Sequence, residues 1–99
     1  MENLLKETEQ ALKEHKKTLK DVEWIGKGNY FMSIDSFKKI ANKEYDNGYG
    51  GNEVDLGLKI CGDNWWLERA EYDGSEWWEF KQKPKKPKLN NEEFSIFEK

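Results

Sequence analysis

The chain has one cysteine, one histidine, one arginine and two prolines among its 99 residues, and it lacks any long apolar run. Each scarcity excludes something. A single cysteine, Cys61, cannot build an intrachain disulfide framework. It reads as a small hydrophobe on a strand, in keeping with a reducing, cytoplasmic setting. A single histidine, His15, leaves no Cys/His cluster with zinc spacing and no confident Ser-His-Asp set. Gly26-Lys27-Gly28-Asn29 lacks the third glycine or the Lys-Ser/Thr of a phosphate loop and reads as a turn. The first residues, Met1-Glu2-Asn3-Leu4-Leu5-Lys6-Glu7, are charged throughout, so neither a signal peptide nor a membrane span is expected. Twenty acids are present, so closeness of two carboxylates in sequence is no sign of an acid–base pair. These absences favour a non-enzymatic chain with no metal and no cofactor.

What remains is unusual in another direction. Only 35% of the residues are hydrophobic and 37% are charged, a balance that on its own suggests disorder. Aromatic residues answer that concern. Five Trp, four Tyr and five Phe supply large buried areas per side chain. One small domain is expected at this length. The net charge of −3 conceals a strong segregation. Residues 1–43 carry +2, residues 44–79 carry −8, and residues 80–99 carry +3. The acidic middle also holds four of the five Trp. Such asymmetry bears on partners rather than on fold.

Periodicity orders the chain. Leu4, Leu5, Thr8, Ala11, Leu12, His15 and Leu19 mark an amphipathic helix over residues 3–17. His15 on that stripe reads as a structural residue. Val22–Ile25 and Tyr30–Met32 read as short strands. Ser33 or Asp35 caps a second helix over about 34–45, with Ile34, Phe37, Ile40, Ala41 and Tyr45 inward and Asp46-Asn47-Gly48 as its stop. Tyr49-Gly50-Gly51-Asn52 continues as a loop. Val54, Leu56, Leu58 and Ile60 alternate with polar residues as a half-buried strand. Trp65–Tyr72 and Glu76–Gln82 follow, joined by the strong hairpin turn Asp73-Gly74. The reading is an α+β fold: N-terminal helix, second helix, then a three-stranded antiparallel meander, with a short extra strand as an option. Residues 1–82 form the domain. Residues 83–99 form a Lys/Pro-rich extended segment and a polar tail. The expected core is Trp24, Ile25, Phe37, Ile40, Leu56, Leu58, Ile60 and Leu67.

Function concentrates in the two Trp pairs, Trp65-Trp66 and Trp77-Trp78. Strand side chains alternate faces, so adjacent Trp residues cannot share one core. If Ile60 lies beside Trp65 or Leu67, Trp66 faces the opposite way with Glu68 and Ala70. Whether Trp77 or Trp78 joins it depends on turn register. Either a helix or the tail covers that second face, or it is a binding surface. The candidate partner-binding residues are Trp66, Glu68, Glu71, Tyr72, Asp73, Glu76, Trp77 and Glu79. Trp and Tyr anchor interfaces, and acids around them select a basic partner. Arg69 reads as one member of a structural ion pair or a stack on a neighbouring Trp.

The segments Asp21–Gly26, Trp65–Arg69 and Glu71–Phe80, with their double-Trp hairpin, resemble small proteins of phages and prophages in low-GC Gram-positive bacteria. The resemblance spans roughly residues 20–87. It carries over no site residues, and it implies a phage setting. Small, acidic, non-enzymatic phage proteins include inhibitors of host machinery, anti-CRISPR and DNA-mimic proteins among them; that step is analogy. The first expectation is therefore a phage-encoded inhibitor that occupies a basic groove of a host nucleic-acid-binding defence protein. The alternative is a nucleic-acid-binding module that stacks bases on Trp66 and Trp77 or Trp78, with Lys81–Lys88 on phosphate. Ten acids against two bases around the aromatics argue against the second, because phosphate contacts dominate such affinity. Direct nucleic-acid binding and membrane binding are thus not expected. A small assembly protein, dimerising through its Trp face, is a third expectation.

Overall fold

The computed structural model describes residues 1–48 and 51–98. Its elements run β1 (Glu2–Asn3), α1 (Leu4–Glu14), β2 (Trp24–Lys27), β3 (Tyr30–Met32), α2 (Ile34–Ala41), β4 (Glu44–Tyr45), β5 (Lys59–Cys61), β6 (Trp65–Tyr72) and β7 (Ser75–Gln82). A short 3-10 turn at Leu19–Asp21 precedes β2. The class is α+β. One antiparallel sheet has the strand order β3-β2-β5-β6-β7, and β1 pairs with β4 in a small ribbon. No helix among the described residues is long and apolar enough to cross a membrane.

Caps set the helix ends. The Asn3 side chain accepts the Lys6 N–H at 3.0 Å and starts α1. The helix stops at Glu14, short of the expected residue 17, because Lys16 takes a φ of 59° while its N–H turns back to the Lys13 carbonyl. Ser33 caps α2 by accepting the Ser36 N–H at 3.1 Å. This helix also ends early, at Ala41. Glu44 and Tyr45 are drawn instead into the ribbon with β1, so Asp46-Asn47-Gly48 terminates no helix. In the glycine-rich loop, Tyr49 and Gly50 lie outside the described residues.

The expected strand over 54–60 is mostly a turn. Asp55 accepts the Leu58 N–H on its carbonyl at 3.1 Å and the Gly57 N–H on its carboxylate at 2.7 Å. That local competition wins over the strand alternation. Leu56 consequently points into solvent, and β5 begins only at Lys59.

Two hairpins fix the register of the main sheet. Asp73 and Gly74 both have positive φ, 50° and 85°, as a two-residue hairpin of the twist-matched kind requires. Tyr72 therefore faces Ser75, and the ladder continues to Trp65 opposite Gln82. In the β5–β6 connection, a Cβ on Gly62 would fall 2.2 Å from the Trp65 indole. Glycine lets that ring fold over the turn.

The core lies between the sheet and the helices. It consists of Leu12, Val22, Ile25, Phe37, Ala41, Ile60, Trp65, Leu67 and Trp78. Leu58 packs on it half-buried. Three expected core residues are outside: Trp24, Ile40 and Leu56. Trp24 is displaced by parity, since its neighbour Ile25 holds the inward position of β2. Ile40 sits on the outer side of a short helix whose inward stripe is Phe37 and Ala41. Residues 83–98 are exposed and carry no helix or strand.

Candidate functional site

Directly opposed residues in an antiparallel pair share a face, so the register sorts the side chains. The helix side holds Trp65, Leu67 and Arg69, opposite Gln82, Phe80 and Trp78. The other side holds Trp66, Glu68, Ala70 and Tyr72, opposite Lys81, Glu79, Trp77 and Ser75. Following the ladders outward adds Cys61 and Lys59 from β5, Trp24 from β2 and Phe31 from β3. Trp66 thus lies on the second face together with Trp77, and Trp78 does not.

This second face is an aromatic surface. Phe31 is 80% exposed, Trp24 46% and Trp77 37%. Trp66 on the same face is half-buried. Helix α1 lies on the opposite side, where Thr8 meets Trp78 and His15 stacks on Phe80 with ring centroids 3.9 Å apart. Cys61, buried between its register partners Trp24 and Trp66, fills the centre. Burial pushes its thiol pKa up, against the opposing pull of Lys59. Two of the indoles on this face, Trp66 and Trp77, are tied down by a carboxylate two residues along. Trp66 Nε1 donates to Glu68 Oε1 at 2.7 Å, and Trp77 Nε1 to Glu79 Oε2 at 3.3 Å. Such bonds hold a large ring in one orientation and lower the entropy it would lose on binding.

The charge on this face differs from the sequence expectation. Only Glu68 and Glu79 belong to it, and Lys59 and Lys81 stand beside them. Glu71 lies on the other side, exposed near the hairpin end. Glu71, Tyr72 and Asp73 are all exposed around the hairpin tip. The acidic character belongs to that tip, next to the aromatic face.

Glu76 is the clear correction among the candidate residues. It is 2% exposed and belongs to a buried ionic cluster, not to a binding surface. Its Oε1 accepts Arg69 Nη2 at 2.8 Å and the Val54 N–H at 3.0 Å, while Oε2 accepts the Glu53 N–H at 2.6 Å. Burial alone would raise the Glu76 pKa. The Glu53 N–H, the Arg69 guanidinium and the Val54 N–H outweigh it and hold the carboxyl below the usual carboxylate range. Arg69 also donates to the Tyr45 hydroxyl at 2.9 Å, reaches Glu7 at 3.4 Å and lies 4.7 Å over the Trp78 ring. One arginine therefore ties α1, β4, the loop at 53–54 and both long strands together. Glu7 and Tyr45 escaped the sequence reading because their partner lies 62 and 24 residues away. The one available signal was the isolated Arg itself.

Among the described residues, no group of three or more His, Cys, Asp and Glu is placed to hold a metal ion. What this geometry offers chemically is a preformed, partly apolar surface. No protein-family model, curated protein or solved structure matches the chain.

Proposed function

We propose that this chain is a non-enzymatic binding protein that holds a partner protein against the open aromatic face of its sheet. The observation that carries this reading is the placement of Trp24, Phe31, Trp66 and Trp77 on the side of the sheet opposite the one on which α1 packs. Preoriented indoles are efficient anchors, because each buries a large area for two side-chain torsions. The acidic tip at Glu71 and Asp73 would steer a basic partner toward that face. Joined to the phage resemblance, this makes a basic, nucleic-acid-binding host defence protein the proposed target, and inhibition the proposed consequence. Lys59 and Lys81 beside Trp66 favour a second reading, single-stranded nucleic acid stacked on the indoles. Glu68 and Glu79 in the same rows oppose it by repelling phosphate.

The test is a pull-down from lysate of a low-GC Gram-positive host, comparing the wild type with Trp66→Ala, Trp77→Ala and the remote control Lys39→Ala. The proposal expects a specific protein retained by the wild type and the control and lost from both Trp variants. Equal retention by all four would remove the aromatic face from consideration. Tight binding of single-stranded DNA at physiological salt, lost in the same Trp variants, would replace this reading with the second.

A further inference from the structure

The sheet has one long free edge, and its chemistry specifies what pairs with it. β7 is the outermost strand, eight residues long, and among the described residues β6 is the only strand that pairs with it. Hydrogen-bonding direction alternates along an antiparallel strand. The Lys83 N–H points toward the β6 side, to the Asn64 carbonyl at 2.7 Å, and the Glu76 N–H points away, to the Asn47 carbonyl at 2.9 Å. The residues in phase with Glu76 are Trp78, Phe80 and Gln82. Their N–H groups face outward and meet no acceptor among the described residues. Beside this edge a groove of about 410 Å³ opens between Lys6, Gln10 and Glu14 of α1 and the pair Trp77 and Trp78. A run of outward, unpaired N–H groups is a template for another strand unless it is blocked.

We propose that the occupant is a second copy of the same chain, with the two β7 strands antiparallel about a two-fold axis at Phe80. Register selects this arrangement. Centring on Glu79 would set Glu79 against its own copy, and centring on Lys81 would set lysine against lysine. Centring on Gln82 brings Pro84, which has no N–H, into the ladder. Centring on Trp78 brings in Glu76, whose N–H is already taken by Asn47. With Phe80 on the axis, Trp78 of one copy faces Gln82 of the other. Each of Trp78, Phe80 and Gln82 then donates and accepts one backbone hydrogen bond. On the open face, Glu79 of each copy faces Lys81 of the other, twice by symmetry.

This pairing also resolves a conflict inside the monomer. Glu79 lies directly opposite Glu68, a like-charge pair that disfavours the hairpin. Lys59 faces Glu68 from the β5 side. Within its own chain Glu79 has Lys81 at 3.5 Å, two residues along the strand. The second copy completes the row Lys59–Glu68–Glu79–Lys81, with a cation at each end. The dimer would join two aromatic faces into one continuous surface, with Trp77 of each copy opposite Lys83 of the other. It does not depend on what that surface binds.

Sedimentation equilibrium over a concentration series at low salt tests the proposal, with a charge-swap cycle at Glu79 and Lys81. Both side chains are nearly half exposed, so neither change threatens the fold. The wild type should approach twice the 11.8 kDa of one chain. Glu79→Lys and Lys81→Glu should each weaken dimerisation by roughly tenfold or more, because each converts two attractive cross-strand pairs into repulsive ones. The double variant should restore it. In the wild type, amide exchange at Trp78, Phe80 and Gln82 should slow as concentration rises. A wild type that stays monomeric to about 100 µM overturns the proposal. So does a dimer whose affinity ignores both single changes, or edge amides whose exchange does not respond to concentration.

Discussion

The buried hydroxyl of Thr8 accepts a hydrogen bond from the indole N–H of Trp78 at 2.9 Å and donates one to the Leu4 carbonyl at 2.7 Å. This chain joins the first helix to the last strand across 70 residues of sequence. Thr8 is fully buried, so nothing else can satisfy the indole. Thr8→Val keeps the shape and removes the acceptor. It should cost about 1–3 kcal/mol, the usual penalty for orphaning a buried donor. Urea denaturation measures it, and Thr8→Ser should lose distinctly less.

Parity makes a sharper pair of predictions. Trp77 and Trp78 are adjacent, yet one lies on the open face and the other is 8% exposed in the core. Trp78→Ala should cost about 3–5 kcal/mol. Trp77→Ala should cost about 1 kcal/mol or less, as for a surface position. Equal losses from chemical denaturation of the two variants would mean that the β6–β7 register is wrong.

The Arg69–Glu76 pair should govern acid sensitivity. The folded-state pKa of Glu76 lies below its ordinary value of 4.5. A depressed carboxylate stabilises the fold above the unfolded pKa, and that contribution fades as pH falls through the folded one. Stability should therefore drop on acidification below about pH 4.5. Glu76→Gln should flatten that part of the profile while lowering stability at pH 7. Arg69→Met leaves a buried carboxylate unpaired and should cost about 3–5 kcal/mol at neutral pH. Urea midpoints across a pH series read both effects.

Legibility followed the range of the interactions. The Asp73-Gly74 turn and the alternation in β6 and β7 are local, and the sequence located those strands to within one residue. The same locality offered Ser33, with Asp35, as the cap and, given Ile60 beside Leu67, put Trp66 opposite the core face. Where two local signals competed, the reading chose wrongly. Val54, Leu56 and Leu58 alternate as a strand should, but Asp55 closes a turn that the alternation hides. Tyr45 fits a helical stripe, but pairing with the short β1 ribbon claims it. Unlike the Asp55 turn, the contacts that claim Tyr45 and Glu76 come from residues remote in sequence. Glu76 faces the helices together with Arg69, a fact set by the register and by Glu53, Val54 and Tyr45 arriving from elsewhere. Trp24 is different, because the pattern itself contained the answer: Ile25 was already inward.

Tyr45 provides the last prediction. Its hydroxyl donates to Glu7 and accepts from Arg69 at 2.9 Å, on a side chain that is 8% exposed. Burial, then the hydrogen bond to Glu7, pushes its pKa well above the ordinary tyrosine value of 10.0, although Arg69 pulls the other way. Burial wins because ionisation would place a second anion beside Glu7, with one guanidinium already shared by Glu76. A raised folded pKa gives stability that is whole below the unfolded pKa and declines as pH climbs past it. Alkaline titration followed by absorbance at 295 nm should therefore show a phenolate component that appears only well above pH 10, or together with unfolding. Tyr45→Phe should abolish that component. It should also remove one partner of Arg69 and of Glu7, at a cost of about 1–3 kcal/mol at neutral pH. A variant that still shows the late phenolate would place the perturbed tyrosine elsewhere.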